Sequence, residues 1–115
     1  MTPDEMEAIV MSFPSVEKGM SYGSPAYKLN GKFFTRLRRD DQSMVLMEVS
    51  RDEREMLMEA EPDTFHLTAH YKDYPCVLAR IADLHPGSFK NFLDRRFRRI
   101  AKKSAVKAYD AEQAG

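Results

Sequence analysis

Two groups of residues in this 115-residue chain have types and spacings that could do chemistry. The first is cationic: Lys28, Lys32, Arg36, Arg38 and Arg39 crowd one short stretch, and Arg95, Arg98, Arg99 and Lys102 recur near the end of the chain. Several cations held within a Debye length of a phosphate backbone displace its counterions, so the two groups together could bind nucleic acid. Tyr27, Phe33 and Phe34 lie among the first group and would add contacts where they are exposed. The plainer reading is a pair of solvated faces, because Asp40, Asp41 and Glu48 cancel much of the nearby charge.

The second group is His66, His70, Tyr71 and Cys76. Histidines four apart on a helix, with Cys76 as a third ligand, could hold a metal. The run FHLTAHYKDYP has no helical period, however, and neither C-x-x-C nor H-E-x-x-H spacing occurs, so no metal is expected. A hydrogen-bonded loop histidine explains His70 more simply. Cys76 as a nucleophile would need a base and an electropositive, partly open setting, but it begins an apolar run and reads as a buried thiol. Ser21 and Ser24 flank Gly23 without the G-x-S-x-G pattern, and no phosphate loop or dinucleotide fingerprint exists. Neither enzymatic activity nor a cofactor is expected. Met44, Met47, Met56 and Met58 read as gap-filling core side chains rather than as an adaptable binding surface.

The elements that would carry these residues follow from pattern. Thr2, Pro3 and the acids Asp4 and Glu5 start a helix with Met6, Ile9, Val10 and Phe13 on its buried stripe, ended by Pro14. Val16 to Tyr22 predicts a strand. Ser21 to Arg39 predicts a β-hairpin entered through a turn at Gly23 and Pro25, with Asn30-Gly31 as its type I′ turn. A two-residue loop sets Leu29 opposite Lys32, Lys28 opposite Phe33 and Tyr27 opposite Phe34. Tyr27, Leu29 and Phe34 then share one face, and Ala26, Phe33 and Leu37 the other. Met44 to Val49 predicts the next strand. Ser50 with Glu53 predicts a capping box opening a helix over Arg51 to Ala60, with Met56, Leu57 and Ala60 inward. Cys76 to Ile81 predicts another strand. A last helix follows Pro86, from Gly87 to about Lys103, with Phe89, Phe92, Leu93, Phe97 and Ile100 in one sector and Arg95, Arg98, Arg99 and Lys102 opposite. Residues 104–115 read as a C-terminal tail. The order α-β-β-β-β-α-β-α predicts a single α+β domain over residues 1–115, with an antiparallel sheet of about five strands packed by helices in two layers.

Formal net charge is zero, which gives no global attraction to nucleic acid or membrane. The distribution is uneven: residues 1–63 carry 13 acids against 8 bases, and residues 64–115 carry 5 against 10. One cysteine excludes an internal disulfide and suits a reducing compartment. No run approaches the roughly 18 apolar residues of a membrane span, and Asp4, Glu5 and Glu7 stand where a signal peptide would be positive. A cytoplasmic monomer, not bound to membrane, is the expectation.

The run SYGSPAYKLNGKFFTRL resembles the hairpin segment of the MmcQ/YjbR-like family, in which an aromatic-Gly-x-Pro run leads into an aromatic, a base and a Gly-Lys turn. DEREMLMEAEPDTFHLTAHYKDYPCVLARI is similar to the helix, His-Tyr loop and strand that follow in that family, and the last helix and SAVKAYD also fit. The resemblance covers almost the whole chain. It implies a fold of the secretion-chaperone-like or "double-wing" type and a DNA-binding function, here through Lys28, Lys32, Arg36, Arg38, Arg95, Arg98, Arg99 and Lys102. A protein- or peptide-binding module is the alternative, and a small-ligand pocket around Tyr27, His70, Tyr71 and Cys76 a third. Cys76 and Phe97 stand where relatives tend to carry Trp, which alters any surface those tryptophans share.

Overall fold

The computed structural model of the chain describes residues 1–114. α1 (Pro3–Met11) starts on a capping box in which Thr2 Oγ1 accepts the Glu5 N–H and the Glu5 carboxylate accepts the Thr2 N–H. Met6 and Val10 turn into the core, with Phe13 just beyond the helix. Four strands follow as a meander: β1 (Val16–Ser21), β2 (Ser24–Leu29), β3 (Lys32–Arg38) and β4 (Ser43–Met47).

Both of the first two connections are type I′ turns. Asn30 and Gly31 have φ of 51° and 80°, as their sequence predicts, and Tyr22 and Gly23 have φ of 52° and 74°. The turn into β2 is therefore Tyr22-Gly23 itself. Pro25 sits inside β2 opposite Met20, beyond the last pair with β3 (Ala26 with Arg36). The predicted pairs Leu29–Lys32 and Lys28–Phe33 are present, but Tyr27 faces Thr35, because a bulge at Phe34 shifts the register. Leu37 consequently joins Tyr27, Leu29 and Phe34 in the main core instead of the face of Ala26 and Phe33.

α2 (Arg51–Ala60) is capped by Ser50, whose Oγ accepts the Glu53 N–H; the Glu53 carboxylate does not close the box but pairs with Arg95. Its inward positions are Arg54, Leu57 and Met58, at i, i+3 and i+4, so Met56 and Ala60 are exposed, contrary to the pattern-based expectation. This rotation follows from what the helix covers: Leu57 and Met58 pack against the main core next to β5 (Phe65–His66), while Arg54 faces the loop that follows. β6 (Cys76–Arg80) completes an antiparallel sheet of order β1-β2-β3-β4-β6-β5. The sixth strand, β5, has only two residues, too few for a period to register.

α3 (Pro86–Ile100) buries Phe89, Phe92, Leu93 and Phe97 as its amphipathic pattern requires. Of the residues read as a tail, 104–114 belong to a helix, α4 (Lys103–Ala114), which places Tyr109 against Phe13 and Phe97 with ring centroids 5.3 and 5.0 Å away; residue 115 lies outside the described residues. α1, α3 and α4 thus contribute to one core on one face of the sheet. The opposite face is covered over β4 and β6 by Tyr71, above Val45, Cys76 and Leu78, and is left open over β1 to β3. No helix among the described residues is long and apolar enough to cross a membrane.

Candidate functional site

The open face becomes a site because a loop is fastened over its far half. Residues 67–75 have little regular structure, and their backbone carbonyls need donors from elsewhere. Arg54 supplies them. Its side chain is only 6% exposed, and its guanidinium donates to the carbonyls of Lys72 (3.0 Å), Tyr74 (3.0 Å) and Cys76 (3.2 Å). Thus secured, the loop presents His70, Tyr71 and Tyr74 as an aromatic cluster, His70 meeting Tyr71 edge-on at 4.7 Å.

Arginines from β3 then meet this wall. Arg36 Nη1 donates to the Tyr71 hydroxyl at 3.0 Å, and the Arg38 guanidinium lies 5.7 Å from the Tyr71 ring centroid. Opposite stands Tyr22, 92% exposed, with Arg36 over its ring at 5.3 Å. Holding a bulky residue in the left-handed region costs about 1–2 kcal/mol, so the β1–β2 turn carries strain at the place where it projects a ring over the cleft. Arg36 Nε is buried and has no hydrogen-bond partner among the described residues.

Two adjoining clefts result. One, of about 330 Å³, is lined by Tyr22, Phe33, Val45, Met47, Tyr74 and Arg96 among others; the second, of about 220 Å³, is lined by Ser24, Arg38, Arg39 and Asp40. Tyr22, Arg36, His70 and Tyr71 line both. The first is mainly apolar and aromatic, the second mainly charged. Arg96 closes one end, its Nε and Nη2 donating to the Phe33 carbonyl beside the bulge.

The predicted residues distribute unevenly over this geometry. His70, Tyr71, Arg36 and Arg38 come together at the clefts, and Lys28 lies beside Phe33 on the same open face. Lys32 is exposed just past the Asn30-Gly31 turn. Tyr27 is not a pocket residue: it is fully buried on the core face, and its hydroxyl donates to Glu7 Oε1, which together with burial pushes its ionisation up. Cys76 is also buried, beneath Tyr71, and burial raises its thiol pKa while the Arg54 charge partly opposes this. Phe97 lies in the main core, so neither Cys76 nor Phe97 opens onto the clefts.

The basic face of α3 is largely neutralised within the fold. Arg95 is held bidentately by Glu53 at 2.7 and 2.8 Å, a pairing that holds the Glu53 carboxyl below its ordinary range. Arg98 binds Asp94 and, bidentately, Asp110 of α4, at 2.6–3.0 Å. Arg99 is 74% exposed at its side chain, with Glu48 3.9 Å away, and Lys102 is exposed without an acid partner among the described residues. Arg38 is itself tied to Asp41 at 2.6 Å. Arg36 and Arg39 have no carboxylate within ion-pair distance among the described residues and are the free cations of the cleft. His66 lies on the other side of Asp41, its Nε2 2.7 Å from Ser43 Oγ, and burial lowers its pKa. Among the described residues no three His, Cys, Asp or Glu side chains converge as a metal site.

Sequence reasoning missed Tyr22, Tyr74 and Arg54. Tyr22-Gly23 between two strand-like runs carries the two-residue turn signal, and Arg54 stands i−3 and i−4 from Leu57 and Met58 on the inward stripe of its helix. Tyr74 carries no such signal. Neither a curated protein nor a solved structure matches the chain. The YjbR family model matches residues 11–99, which hold the whole sheet, the Arg54-fastened loop and nearly all of α3, and the chain belongs to the YjbR family.

Proposed function

We propose that this domain is a non-enzymatic nucleic-acid-binding module that works through the open face of its sheet. One observation carries the reading: Arg36 and Arg39, cations without carboxylate partners among the described residues, line a cleft walled by exposed aromatic rings, with Lys28 on the same face. Phosphate neutralisation needs cations that are not already neutralised, so the hairpin arginines are better placed for it than Arg95 and Arg98. DNA is the partner implied by the family resemblance. The test is binding of a labelled DNA across a salt series. Arg36→Gln and Arg39→Gln each flatten the log–log slope by roughly 0.7–0.9, whereas Arg98→Gln leaves it unchanged. Affinity that does not respond to salt refutes the reading.

A protein- or peptide-binding role is the second reading, favoured by one feature. β1 is an outer edge strand whose central residues, Glu17 to Met20, are exposed, so its backbone could add a partner strand. A partner whose capture survives proline substitution within β1 would refute it.

A further inference from the structure

We infer that the cleft takes an unpaired nucleotide of a single strand, its base between Tyr22 and the His70–Tyr71–Tyr74 wall and its phosphate on Arg36 and Arg39. This rests on the nucleic-acid reading above and narrows it. The larger cleft has an apolar floor of Phe33, Val45 and Met47 and exposed rings at its rim, which suits a flat apolar ring that must be covered. In a duplex both faces of each base are already covered by its neighbours, and base-paired nucleotides do not enter a recess of about 330 Å³. An unpaired base offers its faces to aromatic side chains whatever its identity. The second cleft carries the complementary charge, and the residues common to both clefts, Arg36 above all, set the ring site and the phosphate site side by side. A duplex-binding surface would instead present a row of free cations across a groove, and the basic face of α3 is broken as such a row because Arg95 and Arg98 are held by Glu53, Asp94 and Asp110, which leaves Arg99 and Lys102.

Tyr22 gives a clean test. Tyr22→Asn removes the ring and creates Asn-Gly, the preferred sequence for a type I′ turn, so the fold is retained and lost binding cannot be ascribed to unfolding. Fluorescence anisotropy with a labelled oligothymidylate of about 12 nucleotides, the corresponding duplex, and thymidine monophosphate as competitor separates the outcomes. The single strand binds at least about tenfold more tightly than the duplex, and Tyr22→Asn and Tyr74→Ala each weaken it about tenfold, the scale of one lost base–aromatic stack. Duplex binding that is equally tight, with Tyr22→Asn neutral, overturns the inference and leaves the nucleic-acid reading standing. Thymidine monophosphate competing as well as the strand does also overturns the inference, because it makes the cleft a free-nucleotide pocket. Binding to neither nucleic acid overturns both.

Discussion

Replacing Arg54 by Met should unfasten the aromatic wall while leaving the main core intact. Of its three acceptors, the carbonyls of Lys72 and Tyr74 are half-buried, so water can take over part of the lost bonding. Each of those bonds then counts at about 0.5–1 kcal/mol, towards the lower end for a net hydrogen bond. The Cys76 carbonyl is buried, and leaving it unsatisfied costs about 1–3 kcal/mol. Met replaces most of the aliphatic stem, and removal of a buried cation returns some desolvation energy. The sum is a destabilisation of about 2–4 kcal/mol, or roughly a 10 °C fall in Tm for a domain of this size. Urea denaturation gives the first quantity and thermal melting the second. Two local readouts distinguish a released loop from general weakening: amide exchange should accelerate in residues 68–76 more than in β2 or α3, and the buried Cys76 thiol should label faster through local opening. A loss below about 1 kcal/mol, with exchange in the loop unchanged, would refute the claim that Arg54 holds the site together.

Two further outcomes follow from the packing. Tyr109→Ala should cost about 2–4 kcal/mol, because its ring is buried against Phe13 and Phe97; an effect within about 0.5 kcal/mol in denaturation would mean that α4 does not belong to the core. Stability should decline in two stages on acidification. The folded state depresses the pKa of His66 through burial and the Arg80 charge, so the unfolded chain binds the proton more readily and stability falls as pH drops below the ordinary histidine value of 6.5. Glu7, Glu53 and Asp110 are depressed by hydrogen bonds from Lys18, Arg95 and Arg98 respectively, so their contribution is present above the ordinary carboxylate range and is lost below it. His66→Gln should abolish the upper stage and spare the lower, as read by urea midpoints between about pH 7 and 3; an unaltered upper stage would assign it to another group.

How far the chain could be read in advance depended on whether the information was local. The helix start at Thr2, the Asn30-Gly31 turn and the apolar sector of α3 each rest on residues within a few positions of one another, and each forms as read. The bulge at Phe34 was not legible, because the two-residue turn fixes only the nearest pairs, and the shift appears where Thr35 donates its hydroxyl to the Val45 carbonyl on β4. The same applies to the charges. Spacing placed Arg95 and Arg98 on the polar face of a helix, but their partners Glu53 and Asp110 lie 42 and 12 residues away, so these two cations are consumed by the fold.

The candidate site is the extreme case of non-local information. It needs a turn residue from β1–β2, arginines from β3, a loop before β6 and a guanidinium from α2 to hold that loop. Only the arginine cluster and the His70–Tyr71 pair were singled out from the sequence, and neither implied the other. What unites them is the position of Arg54: its stem occupies an inward place on α2 where Leu or Met would serve packing equally well, and only the carbonyls of Lys72, Tyr74 and Cys76 require a guanidinium there. A buried cation without an acid partner is costly unless its donors are used, and here the bonds that offset this cost are the ones that set Tyr71 against Arg36 and Arg38. Arg54, which sequence analysis passed over, is the residue through which the fold assembles its open-face cleft.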